Sequence, residues 1–334
     1  MNRAVFISND ILSLVEYNPC DDRALYESWL DPDVQQGFNG VYVTSFDEFV
    51  ERNIIDKPTR FTAMIRLDRT GEIIGTVGIS PPEDEADLTI RIFTPHRRHG
   101  YGAAAFALAT KYVTKTLEIK EVHAGAYPDN IGSIKMLERC GYKPYPAGNI
   151  PEKHFITGEA IIQMDYIYKP ITIRLAVPAD ASNLAEVMMR SWETAYKDII
   201  PAEYIREKNA TRLDMFKRTL PENIYTHVIQ YEGKTVGIVR VAPPDYGDMD
   251  DAYYDLHSLY LHPNYFGQGI GTQAMEFAFD KARSLGKTVL VLWVLEDNAN
   301  AIKFYRKLGF TANGERRKFN YGKILDSIRM RRDL

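Results

Sequence analysis

Apolar and polar positions alternate, then shift to helical spacing, in one order that the C-terminal half of the chain shows most clearly. Ile171, Ile173 and Leu175 alternate with polar neighbours and predict a strand, and the stretch from Ala179 to Tyr196, entered through Pro178 and Asp180, predicts a capped helix. His227 to Tyr231 and Thr235 to Val241 flank Glu232-Gly233, the pattern of a hairpin, and Tyr253 to Leu261 alternates as a further strand. After a glycine-bearing loop, Ala274, Phe277, Ala278, Ala282 and Leu285 recur at helical spacing, and Gly286 ends them as a C-cap. Val289 to Val294 is continuously apolar and reads as a buried strand. Asn298 then caps a helix that runs to Leu308 and stops at Gly309, and two strands follow near Phe319 and Ile328. Strands and helices so interleaved predict a mixed α/β fold.

The pattern occurs twice. Asp129-Asn130 recurs as Asp297-Asn298, Ile134-Lys135 as Ile302-Lys303 and Gly141-Tyr142 as Gly309-Phe310, each 168 positions on. Asp87 and Pro95 recur as Asp255 and Pro263 at the same offset, whereas Gly100-x-Gly102 recurs as Gly269-x-Gly271 at 169, which places a one-residue deletion in the first loop. Two copies of one fold are expected, residues 1–169 and 170–334. They join at Lys169-Pro170, where proline interrupts strand pairing.

Composition narrows the class. With 41 Lys plus Arg against 45 Asp plus Glu, a net charge of −4 and 45% hydrophobic residues, the chain has core material for two domains and no electrostatic drive toward nucleic acid or anionic membranes. Its apolar runs reach only seven residues, far from the roughly 20 of a spanning helix, and its opening lacks the features of a signal peptide. A cytoplasmic location is expected. Cys20 and Cys140 are too few for a disulfide framework or a thiolate metal site and read as reduced and buried; no histidine spacing suggests a metal.

The repeated loops carry the chemistry. His96 to Ala105 and Tyr265 to Ala274 each join a strand to a helix through closely spaced glycines, which allow successive amides at a helix N-terminus to point at one anion. Both loops satisfy the dinucleotide fingerprint Gly-x-Gly-x-x-Ala. They follow about 95 residues of their repeat rather than its first strand, however, so the nicotinamide reading ranks lower. A Walker-type phosphate loop is excluded because Val228 and Lys281 stand where the upstream glycine is required.

The run Leu259-Tyr260-Leu261-His262-Pro263, the loop Phe266 to Thr272, and Asp297-Asn298 followed by Ala301 to Phe310 resemble the GNAT superfamily of acetyl-CoA-dependent N-acetyltransferases. Ser191 to Ile205 is similar to the small-amine branch, which acetylates polyamines or phosphinothricin-like compounds. In the first copy, Trp29 to Phe38, Arg97 to Gly102 and Asp129 to Tyr142 resemble the branch that modifies protein N-termini. The resemblance implies two tandem mixed-sheet acyl-CoA N-acyltransferase domains with acetyl-CoA as co-substrate. The cofactor residues it implies are Leu259 and Leu261, the loop Gly267, Gln268, Gly269, Ile270, Gly271 and Thr272, and Asn298. In the first copy they are Arg97, Arg98, His99, Gly100, Tyr101, Gly102 and Asn130. Phe266 departs from the Arg or Gln usual three residues before the first glycine; Arg97 satisfies it in the first copy.

Amine acetylation needs a base for the ammonium proton and an acid for the departing thiolate. The resemblance puts the acid at Tyr305; Leu137 stands at the matching position, so the first copy is expected to be catalytically weak. Asp255 and His257 share one face of the cleft strand and are the candidates for the base. Acidic clusters, Glu83 to Asp87 and Asp245, Asp248, Asp250 and Asp251, precede that strand in each copy, and Trp192 and Tyr196 lie one helical turn apart as an aromatic floor for an ammonium. The expected reaction is acetyl transfer from acetyl-CoA to a primary amine of a small molecule by direct attack, with no metal and no nucleic-acid or membrane partner, a homodimer being allowed. Alternatives are a non-catalytic acyl-CoA-binding scaffold and a protein N-terminal acetyltransferase.

Overall fold

Alternation is realised as strands and helical spacing as helices in a computed structural model that describes residues 3–41, 45–52, 61–245, 247 and 249–334. Its contacts divide into two units, Met1–Pro170 and Ile171–Leu334.

In the first unit, β1 (Val5–Ser8) and β2 (Leu12–Val15) precede three short helices, α1 (Asp22–Trp29), α2 (Pro32–Gly37) and α3 (Phe46–Arg52). Strands β3 (Phe61–Leu67), β4 (Ile73–Ile79) and β5 (Leu88–Ile92) then complete a five-stranded antiparallel sheet in chain order. Helix α4 (Tyr101–Lys115) follows, then β6 (Val122–Ala126), α5 (Ile131–Arg139), β7 (Lys143–Pro144), β8 (Ile150–Lys153) and β9 (Ala160–Tyr168). Strand β9 pairs with β6, β7 and β8. Ala105, Phe106, Ala109 and Val113 of α4 form the core with Ile65, Val77, Leu88 and Val122, all nearly inaccessible.

The second unit repeats this with one continuous sheet. Strand β10 (Thr172–Leu175) leads to α6 (Ala181–Ala195) and α7 (Ala202–Thr219), then β11 (Thr226–Tyr231), β12 (Lys234–Ala242) and β13 (Tyr253–Leu261). Helix α8 (Ile270–Ser284), β14 (Val289–Leu295), α9 (Ala299–Lys307), β15 (Thr311–Asn320) and β16 (Ile324–Asp333) complete it. The strand order is β10-β11-β12-β13-β14-β16-β15. Small residues on α8, Ala274, Ala278 and Ala282, let the helix sit close on Val239, Tyr254, Leu290 and Leu292.

Register corrects the position of the single-residue offset. Arg240 pairs with Ser258 but Val241 with Leu256, so His257 is an additional residue in β13, a bulge; β4 and β5 pair without interruption. Downstream of it the structural offset is already 169, since Gly75 pairs with Ile92 as Gly237 pairs with Leu261. The loops themselves are of equal length. Pro95 and Pro263 occupy neighbouring rather than identical positions of their short 3-10 turns, Thr94–His96 and Pro263–Tyr265.

Cys20, expected to be buried, is exposed, with its thiol accepting from the Arg3 guanidinium at 3.4 Å. Cys140 is partly buried, and burial pushes its thiol up to about 12. Among the described residues no helix is long and apolar enough to cross a membrane.

Candidate functional site

Strands β13 and β14 pair in parallel only over Tyr253–Asp255 against Val289–Val291, although β13 continues to Leu261 and β14 to Leu295. Beyond Asp255 the two part, and the β13 edge holding Leu259 and Leu261 faces the gap with main-chain groups that β14 does not take. An extended chain with its own amide groups can add there by strand-like hydrogen bonding. In the first unit the gap opens at the same place: among the described residues the one bridge between the corresponding segments is Asp87 with His123, which match Asp255 and Val291 at the offset of 168.

The repeated loop ends at the mouth of each gap. Gly269 and Gly100 are the N-caps of α8 and α4, both left-handed (φ 78° and 83°), and neither helix start has a side-chain cap. The first intrahelical bonds are donated by Gln273 and Ala104, so the amides of Ile270, Gly271 and Thr272, and of Tyr101, Gly102 and Ala103, have no intrahelical acceptor and suit an anion. Gly271 marks a close approach: a Cβ there would stand 3.3 Å from the Phe304 ring. Position 267 also needs a positive φ, 70° at Gly267, and in the first unit Arg98 adopts the same conformation at 65°, where a side chain is strained. Ile270 is buried in the α8 core, Thr272 is exposed, and Gln268 turns its amide to the Asn264 carbonyl at 2.7 Å.

Arg97 stands apart from the anion role expected of it. Its Nε donates to the Ile92 carbonyl at 3.0 Å, and its two terminal nitrogens pair with Asp31 and Asp33 at 3.0 and 3.1 Å. The charge is thus already compensated. The His99 ring stacks on Tyr101 at 5.6 Å, and Gly102 packs near Ile92 and Met136. Asn298 and Asn130 cap α9 and α5, each accepting an amide at 3.1 Å, which commits the side-chain oxygen and leaves the amide nitrogen.

Around the gap of the second unit the structure gathers several of the expected proton-handling groups. Asp255 is fully buried where the strands separate, and His257 Nε2 stands 3.8 Å from its carboxylate at the more exposed bulge. Tyr305 lies on α9 against Phe304 and Phe310, and burial, with the neighbouring Tyr260, raises its phenol above the ordinary range. Trp192 packs on Tyr196 (5.2 Å), Tyr321 (6.0 Å) and Tyr260 (6.4 Å), and Tyr196 is hydrogen-bonded to Tyr260. Of the acidic turn, Asp251 is paired with Lys287 and Asp250 accepts from the Ala252 amide, while Asp248 lies outside the described residues.

Two family models match the chain, one described as the acetyltransferase (GNAT) family over residues 186–310 and the other as an acetyltransferase (GNAT) domain over residues 12–143. The chain belongs to the GNAT acetyltransferase family. It is a tandem acetyl-CoA-dependent N-acetyltransferase. An uncharacterized N-acetyltransferase of Methanocaldococcus jannaschii is 27% identical over 207 residues, 58% of this chain and 89% of that protein. The spermidine N(1)-acetyltransferase of Escherichia coli is 28% identical over 155 residues, 44% of this chain and 74% of that one. A solved N-acetyltransferase of Thermoplasma acidophilum in complex with coenzyme A aligns with 49% of the chain and 99% of its own length, at 22% identity and a TM-score of 0.39.

The gaps of this GNAT chain also hold groups that sequence reasoning passed over. In the first unit His123 binds Asp165 at 2.7 Å and Glu85 at 3.3 Å beside Asp87, whose carboxyl burial and Asp165 push up to about 6. These partners lie 38 and 42 residues from His123, too far apart to form a local motif. In the second unit Arg212 of α7 lies 4.1 Å from the Trp192 ring, a residue hidden in a run of charges that reads as surface.

Proposed function

We propose that the second unit transfers the acetyl group of acetyl-CoA to a primary amine of a small molecule. The observation that carries this reading is the convergence, where β13 leaves β14, of an aromatic wall and a histidine that shares one strand face with a buried carboxylate. Acetyl-CoA supplies an activated acetyl thioester. The main chain of Leu259 and Leu261 holds its extended arm, the amides from Gly267 to Thr272 hold its pyrophosphate, and the Asn298 amide nitrogen adds a donor.

Trp192, Tyr196 and Tyr260 present aromatic surface to the incoming ammonium. His257 Nε2 takes its proton, with Asp255 behind it stabilising the imidazolium; the fully buried Asp255 acts through His257 rather than on the amine. The Tyr305 hydroxyl returns a proton to the departing sulfur, and its raised pKa keeps it protonated across the working range. Residues 1–169 form the companion domain, weak in turnover because Leu137 offers no proton. The likeness to a spermidine acetyltransferase supports a small amine.

Coenzyme A release by the full chain, measured against polyamines, aminoglycosides, amino-acid analogues and N-terminal peptides, tests the reading. Turnover with a small amine that Tyr305→Phe abolishes is expected. Turnover confined to the peptides overturns it.

A further inference from the structure

The first unit contains a cavity of about 270 Å³ on the sheet face away from α4, just below the usual range of small-molecule sites of roughly 300–1,000 Å³. Trp29, Phe38, Thr76, Asp87, Thr89 and Arg91 line it. Asp87, Thr89 and Arg91 reach it because alternate residues of an extended segment share a face, while Leu88 and Ile92 point into the core.

Arg91 is 8% exposed, and its guanidinium carbon lies 4.0 Å from the centre of the Trp29 ring. No hydrogen bond or ion pair joins it to any described residue, and its Nε is buried without a partner. Burial alone pushes it down to about 9. A guanidinium out of water without a counter-charge is expensive; the more exposed Arg3, Arg97 and Arg174 each have one, in Asp21, Asp31 and Asp180. The second unit also sets a guanidinium on a tryptophan, Arg212 on Trp192, but there Nε donates to Asn209 at 3.0 Å and only one terminal nitrogen lacks a partner. Arg91 alone of the two lacks any such satisfaction.

We propose that this cavity binds a small carboxylate, held by the two-pronged edge of the Arg91 guanidinium while Trp29 covers its flat face. The planar fork matches a carboxylate in two parallel N–H···O bonds. Phe38 and Trp29 give the ligand's body an apolar wall. Asp87 in the same small cavity opposes a second negative charge, which selects a monoanion over a phosphate dianion. The site is independent of acetyl transfer by the second unit.

Calorimetric titration of the full chain, without acetyl-CoA, uses benzoate and isovalerate as probes, benzamide as the neutral match and inorganic phosphate as the other anion. One saturable carboxylate site is expected, weakened at least roughly tenfold in Arg91→Met and partially in Arg91→Lys, which keeps the charge and loses the fork. Melting curves of both variants establish that they fold, and Arg91→Lys carries the test if Arg91→Met does not. The proposal is overturned by any of four results: no saturable carboxylate binding up to about 50 mM, binding unchanged in a folded variant, benzamide equal to benzoate, or Arg91-dependent binding of phosphate in preference to the carboxylates. Because Tyr305→Phe is not involved, its failure leaves the transfer reading standing.

Discussion

From Leu88 to Ile92 strand β5 runs regularly, whereas β13 holds His257 as an additional residue between Leu256 and Ser258. The apolar alternation toward the main helix survives in both, as Leu88, Ile90 and Ile92 in one unit and Leu256, Leu259 and Leu261 in the other. A bulge therefore lets the second unit add a titratable side chain beside the gap without moving its core. The position of Arg91 becomes Tyr260, and the cavity wall changes from a lone cation to a tyrosine cluster. On the readings proposed above, one inserted residue separates a site that moves a proton from one that holds an anion.

The sharpest way to break this comparison is at the paired glycines. In Gly271→Val the new side chain meets the Phe304 ring, which Gly102→Val does not have; its nearest neighbours would be Ile92 and Met136 at 3.6 and 3.7 Å. Gly271→Val is expected to remove acetyl-CoA binding by the second unit and to lower turnover more than roughly 10²-fold. Calorimetric stoichiometry and coenzyme A release check this. Full turnover in Gly271→Val, or an equal loss in Gly102→Val, would mean that chemistry does not reside where the bulge is.

Tyr305→Phe keeps the ring against Phe304 and Phe310 and removes only the proton. Turnover should fall roughly 10²-fold, with the KM for acetyl-CoA little changed and the melting temperature intact. Leu137→Tyr supplies the hydroxyl to the first unit, but without a bulge histidine there it is expected to add no activity. A gain would show that the acid, and not the inserted residue, distinguishes the two units.

Periodicity made the cores of both units and the uncapped loops legible, because small apolar residues at helical spacing and repeated glycines are local signals. The bulge was not: an insertion between Asp87/Asp255 and Gly100/Gly269 can be placed in strand or loop, and the coincidence of Pro95 with Pro263 drew it to the loop. Helix α7 went unread because Ile205, Arg212 and Phe216 are its only buried residues in a run of charges. Arg97 looked like the better phosphate ligand because Asp31 and Asp33, which neutralise it, lie more than 60 residues upstream. Arg91 carried no signal in the sequence, because Trp29, the ring it lies against, stands about 60 residues upstream in α1.

A smaller contrast lies in pH. The Asp87 carboxyl ionises near about 6 in the native state, chiefly because burial disfavours its charge, and near about 3.9 when unfolded. Between those values the native state holds a proton that the unfolded chain has released, so this group's contribution falls as pH rises from about 4 to 6. Asp87→Asn keeps an acceptor for the Gly125 amide and removes the charge. Stability at pH 7 should increase by about 3 kcal/mol, and the fall between pH 4 and 6 should flatten. Chemical denaturation at several pH values measures both; an unchanged slope would show that Asp87 carries no strained charge.

The smallest effect is expected from the acidic turn before β13. Asp251 is neutralised by Lys287, which leaves Asp245 and Asp250 as the described charges able to draw a cationic amine from solvent. At separations beyond a Debye length, about 10 Å at 0.1 M salt and 3 Å at 1 M, such attraction is screened. Replacing both by asparagine should raise the KM for a polyamine roughly two- to threefold at low salt and leave kcat unaltered, the difference vanishing near 1 M salt. Neutralising Glu83 and Asp84 in the first unit should change nothing, since Leu137 stands there in place of Tyr305 and no residue matches the His257 bulge. A salt-independent KM, or an equal response to the two pairs, would make both turns ordinary solvated surface and leave the aromatic wall as the sole attraction for the amine.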